Sequence, residues 1–176
     1  MFRTIAALAL ASASANTSPT LTANAPWWEK VTVTVTDDGQ TQSCRYESSL
    51  TPNAGKDCSV VGNAASMSHK ASAAKDQYTR ITFERRFTPD AKPDLAALQP
   101  GETLLGGQVM ALAIDGKGAV KGCRVVQTGG DVTPQYGCSE AQAERFTASA
   151  VTGRARPAEH EGYMTILVYG HSEHIV

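Results

Sequence analysis

DGKGAVKGCRV, residues 115–125, reads as a tight turn, then a strand, with a cysteine carried on that strand. Asp-Gly is a strong hairpin signal, because two-residue turns need positions that tolerate left-handed backbone angles. The run before it, QVMALAI (108–114), is apolar enough for a buried strand, so 108–128 predicts a two-stranded hairpin. A similar stretch occurs much earlier. DDGQTQSCRY (37–46) follows KVTVTVT (30–36), whose strict alternation of Val and Thr predicts a half-buried strand.

Sliding the early stretch forward by 79 positions places Val31, Val33 and Val35 on Met110, Leu112 and Ile114. Gly39 then falls on Gly118, Cys44 on Cys123 and Arg45 on Arg124. One further residue of slip brings Cys58 onto Cys138. A total slip of 85 brings Tyr78, Ile81 and Phe83 onto Tyr163, Ile166 and Val168. Repetition of this kind governs the reading of the whole chain.

A helix is predicted behind each hairpin. In the first half Ala64, Met67, Ala71 and Ala74 form a narrow apolar stripe at helical spacing. In the second, Ser139 and Gln142 have the spacing of a capping box, and Ala143, Phe146 and Ala150 form the inner stripe. A closing strand follows each helix: YTRITFERRF (78–87) and YMTILVYGH (163–171). The expected fold is therefore α+β: two pseudo-repeated strand-strand-helix-strand units, with helices packed on one face of antiparallel sheet. The units cover 27–87 and 103–176. Pro89, Pro93, Pro100 and Gly101 mark 88–102 as a linker.

The first residues read as an export leader over 1–15. Arg3 supplies a positive start, TIAALALASASA a short apolar run, and Ala11-Ser12-Ala13 and Ala13-Ser14-Ala15 two small-x-small cleavage patterns. Ala23-Asn24-Ala25 is a third pattern, disfavoured by Pro26 behind it, so the expected cleavage lies within 13–25. Residues up to 26 are read as a flexible mature N-terminus. The expected location is the periplasm, or outside the cell. Four cysteines suit that setting, and Cys44–Cys58 and Cys123–Cys138, 14 and 15 residues apart, are the favoured pairs among three possible pairings. Closing a loop of that size is worth about 3 kcal/mol in the chain-entropy account.

The 176 residues carry 16 basic and 17 acidic side chains, so no field of one sign points to nucleic acid or an anionic membrane as partner. No segment after the leader is long and apolar enough for a membrane-spanning helix.

In the second half, VMALAIDGKGAVKGCRVVQTGG, a helix, and RARPAEHEGYMTILVYG resemble the C-terminal domain of TonB-like proteins over residues 104–172. Asp115 and Gly116 match that family's turn. Thr128, Gly129 and Gly130 stand at its small-residue patch, and Pro157 and Ala158 at the entry to its last strand. The resemblance implies a strand-strand-helix-strand fold and contact with a partner by pairing an extended segment onto an edge strand. The implied contact strand is the last one, Met164, Thr165, Ile166, Leu167, Val168 and Tyr169, with an envelope protein or peptide as partner. The other outcome is that the two halves pair with each other and consume those edges. The chain lacks the long Pro-rich spacer that the family's energy transducers use, so a transport accessory without an anchor is a further reading.

Other candidate sites are few. His171 and His174, near Glu173 and downstream of His160, are metal-ligand types. Ser72 and Lys75 have Ser-x-x-Lys spacing without the motifs that accompany it in hydrolases. Trp27 and Trp28 could offer a stacking surface, with one of them expected in the core. FERRF (83–87) reads as a solvated strand end bearing Arg85 and Arg86. No cofactor is implied. The function expected from all this is an exported, non-enzymatic binding or scaffold module, with a small exported hydrolase or metal-dependent enzyme as the competing reading.

Overall fold

The computed structural model describes residues 20–35, 41–51, 56–57, 80–147 and 159–171. Among these residues seven strands form one antiparallel sheet: β1 (Trp27–Val35), β2 (Thr41–Ser48), β3 (Lys56–Asp57), β4 (Arg80–Pro89), β5 (Glu102–Ile114), β6 (Val120–Gly130) and β7 (His160–His171). Their order across the sheet is β3-β2-β1-β4-β7-β5-β6. The single described helix, α1 (Cys138–Ala143), has six residues.

This corrects the α+β expectation. The helix expected from Ser139 to Ala150 stops at Ala143, and the described residues build a sheet protein rather than helices layered on a sheet. The reason is local. Gly137, not Ser139, caps the helix, and its N–H donates to the Glu140 carboxylate at 2.8 Å. Glu144 is already extended (φ −67°, ψ 156°), and the next amides leave the helix for other partners. The Phe146 N–H donates to the Gly118 carbonyl at 2.9 Å, and the Thr147 N–H to the Leu21 carbonyl at 2.7 Å. Tertiary hydrogen bonds outcompete a stripe of only three apolar residues. The helix expected over Ala64–Ala74 lies outside the described residues.

The hairpin of residues 102–130 forms as its sequence dictates. The Asp115 carboxylate accepts from the Lys117 and Ala119 amides, both at 2.9 Å, and Gly118 supplies the left-handed corner at φ +80°. The Ala119 amide is the main cause holding the Asp115 carboxyl below its ordinary value.

The two halves repeat the same pairings. Val33 lies opposite Cys44, and Leu112 opposite Cys123, the 79-residue shift of the sequence. The closing strands correspond differently from the expected slip of 85. Val31 pairs with Phe83 and Met110 with Met164, so Phe83 and Met164 are equivalent and the shift there is 81. The halves join where β4 pairs with β7, through Phe83–Val168, Arg85–Ile166 and Phe87–Met164. Under that correspondence the three pairs exchange symmetrically about Arg85 and Ile166. A local pseudo-twofold axis therefore passes between these two residues.

Alternation along each strand divides the side chains between two faces. One face carries the main core: Trp27, Phe87, Met110, Leu112, Ile114, Met164 and Ile166, closed over by Leu21, Ala23, Ala141 and Phe146. Trp27 stacks on Phe87 with ring centroids 5.8 Å apart, and Phe87 meets Phe146 at 5.1 Å. The other face holds Val109, Leu167 and Tyr169 beneath Leu95. Leu95 comes from the stretch expected as a linker, yet it is 3% exposed. It lies flat because Gly107 and Gly129, paired across β5 and β6, leave it room; a methyl on Gly129 would stand 2.9 Å from Leu95 Cδ2.

Candidate functional site

The densest polar arrangement sits at the pseudo-twofold axis, on the main core face. Arg85 and Glu29 are direct cross-strand partners on β4 and β1. The guanidinium donates to Glu29 Oε2 from Nε at 3.1 Å and from a terminal nitrogen at 2.5 Å. Its other terminal nitrogen donates to the Glu144 carboxylate and, at 3.3 Å, to the Tyr136 hydroxyl. Tyr46 on β2 donates to Glu29 Oε1 at 2.7 Å, and Tyr136 to Glu144 Oε1 at 3.0 Å. The Arg85 guanidinium carbon lies 5.3 Å from the Trp27 ring centroid and 5.4 Å from that of Tyr136. Every carboxylate here has a charged and a phenolic donor, the condition under which buried ions persist.

The environment acts on these groups in definite directions. Burial opposes the Arg85 charge, but Glu29 and Glu144 more than offset it and hold the guanidinium protonated. Burial, then the bond to Glu29, pushes the Tyr46 hydroxyl up to about 12. Burial likewise raises Tyr136. All three guanidinium nitrogens donate to partners within the chain, so the cluster works as a clasp between elements. It ties β1, β2 and β4 of the first half to Tyr136 and Glu144 of the second.

FERRF is thereby corrected. Arg85 and Arg86 point to opposite faces, and only Arg86 is half exposed; Arg85 is 11% exposed in its side chain. On the second face Glu84 accepts from Arg86 at 2.5 and 3.0 Å and from the Tyr169 hydroxyl at 2.8 Å. Sequence reasoning missed the clasp because its members are scattered over more than a hundred residues. The one available signal was strict alternation in FERRF, which must send one of two adjacent arginines inward.

The expected contact strand is also corrected. Met164, Thr165, Ile166, Leu167, Val168 and Tyr169 lie in the interior of the sheet, hydrogen-bonded to β4 on one side and β5 on the other. All six are buried. No edge is open there, because the two halves pair with each other. Trp27 is buried at 3% exposure, with its indole N–H donating to the Thr22 carbonyl at 3.0 Å. Trp28 faces the other side at 36% exposure, with Lys30 Nζ 4.9 Å from its ring.

Cys123 and Cys138 are joined, Cα atoms 5.5 Å apart, tying α1 to β6. Cys44 is disulfide-bonded as well; its expected partner, Cys58, lies outside the described residues. So do His174, Glu173, Ser72, Lys75 and the leader. His171 and His160 occupy opposite ends of the 12-residue β7, about 36 Å apart at strand rise. Among the described residues no group of three His, Cys, Asp or Glu side chains is placed to hold a metal ion. No described helix is long and apolar enough to cross a membrane. The disulfide is compatible with export.

Among the described residues β6 forms one edge of the sheet. It pairs only with β5 among the described strands, and Lys121, Arg124 and Val125 are exposed on it, Val125 at 48%. Irregularities at Lys121 and Val126 interrupt its register with β5, leaving Gly122–Val125 as its regular part.

No protein-family model matches the chain, and searches of curated proteins and of solved structures return no match.

Proposed function

We propose that the protein is an exported, non-enzymatic binding module that takes an extended segment of another envelope protein onto its sheet by strand addition. The observation that carries this is the flank of β6 that no described strand covers, with exposed side chains at Lys121, Arg124 and Val125. Strand addition needs an unpaired row of main-chain donors and acceptors, and β7, the strand the TonB-like resemblance implied, has none to offer. Over its whole length β6 carries two cations, Lys121 and Arg124, and no carboxylate. Among the described residues Lys121 and Arg124 have loose partners, Asp115 at 3.5 Å and Glu161 at 4.0 Å. The segment it suits is therefore acidic and extended, with an apolar residue to cover Val125.

A photo-cross-linking residue placed at position 125 tests this. The expected result is one defined adduct from envelope extracts, with the cross-link mapped to an acidic extended segment. A synthetic peptide of that segment then slows amide exchange across Lys121–Val125. No adduct at 125, or an adduct whose peptide leaves exchange in β6 unchanged, overturns the reading.

A further inference from the structure

The short run before β1 is part of the folded core, and this bears on where the leader is removed. Leu21 is 3% exposed and Ala23 4% exposed, both within the main hydrophobic cluster. Leu21 forms a parallel bridge with Phe146. Its carbonyl accepts from the Thr147 N–H at 2.7 Å and from the Thr147 hydroxyl at 3.1 Å. The next carbonyl, of Thr22, accepts the Trp27 indole N–H at 3.0 Å. The residues expected as a flexible tail thus act, from Leu21 onward, as a strap running from the second half's Phe146 to the first half's Trp27.

We infer that the export peptidase cuts after Ala13 or Ala15 and not after Ala25, so that the mature chain keeps Leu21–Ala25 as a structural strap. The inference rests on the reading that the chain is exported. Three small-x-small patterns compete in the sequence, ending at Ala13, Ala15 and Ala25. Cutting after Ala25 would remove Leu21 and Ala23 from the core, strip the Trp27 indole of its acceptor and leave the Thr147 donors unpaired. It would also require hydrolysis of an Ala-Pro bond, whose proline nitrogen has no hydrogen and restrains the residue before it. Either earlier cut leaves every described contact of the strap intact. The peptide bond broken is the Ala13–Ser14 or the Ala15–Asn16 amide, with water supplying the new carboxylate and amine.

Intact-mass and N-terminal sequencing of the full chain, expressed with its own leader and recovered from the periplasmic fraction, reads the cut directly. A mature chain beginning at Ser14 or Asn16 is expected. One beginning at Pro26, or one still carrying Met1, overturns the assignment; retained Met1 also defeats the export reading, whereas a Pro26 start leaves that reading standing. Thermal unfolding of oxidised protein tests the strap independently of export. Leu21→Ala should lower Tm by about 10 °C, as a core leucine truncation does in a chain of this size. Leu21→Val, which keeps most of the side chain, should lower it by a smaller step. Equal Tm values for the wild type and both variants overturn the strap.

Discussion

Arg85 occupies a position whose equivalent across the pseudo-twofold axis is Ile166, and Glu29 one whose equivalent is Gln108. The molecule thus contains its own control for what the ion pair does. Arg85→Ile alone leaves Glu29 buried beside an apolar side chain, and breaking a buried pair in this way costs about 3–5 kcal/mol. Glu29→Gln together with Arg85→Ile copies the pairing of the second half and should cost at least about 1 kcal/mol less than Arg85→Ile alone. Urea unfolding of the two single variants and the double variant measures that coupling. Zero coupling would mean that Glu29 and Arg85 are each satisfied by other groups. The pair was hidden in the sequence because charge pairing across a sheet depends on register. Register in turn is set by a slip of 81 in the closing strands that residue identities alone did not reveal.

At the scale of elements, the strands were legible, and the helix of the second half only over its first turns, Cys138–Ala143. TVTV on β1 and the Asp-Gly corner before β6 carry period and turn chemistry within a few residues, and the structure uses both. The stripe Ala143, Phe146 and Ala150 also has helical spacing, yet Phe146 is spent on the core through a bridge to Leu21. That contact spans the length of the chain, and no window of local periodicity contains it. The stretch 88–102 shows the same limit: its prolines end strands correctly, but the burial of Leu95 depends on two glycines in other strands. Leu95→Ala should destabilise by about 2–5 kcal/mol, a core loss rather than a surface one. A shift in the urea midpoint equivalent to less than about 0.5 kcal/mol would place Leu95 among exposed loop residues.

For the molecule as a whole, three buried or half-buried phenols each donate to a carboxylate: Tyr46, Tyr136 and Tyr169. Burial is the first cause raising each, followed for Tyr46 and Tyr169 by a bond to a carboxylate. The neutral phenol is the form the fold favours. Their contribution is therefore complete below the ordinary tyrosine value near 10, and it drains away as pH rises toward about 12, the folded value for Tyr46. Denaturation midpoints should be level from pH 8 to about 10 and fall above it, with tyrosinate absorbance rising late and together with unfolding. An absorbance rise complete near pH 10 in native protein would show freely solvated phenols.

The joint between β4 and β7 has one more consequence. Each half ends in a strand whose outer side is satisfied only by the matching strand of the other half, in a symmetric arrangement. Nothing in that geometry requires the two strands to come from one polypeptide. When many chains refold together, a first half can dock on a neighbour's second half through the same ten residue pairs, giving reciprocally exchanged dimers whose subunits are each complete. Dilute refolding, in which a chain meets itself before it meets another, is the route to the monomer.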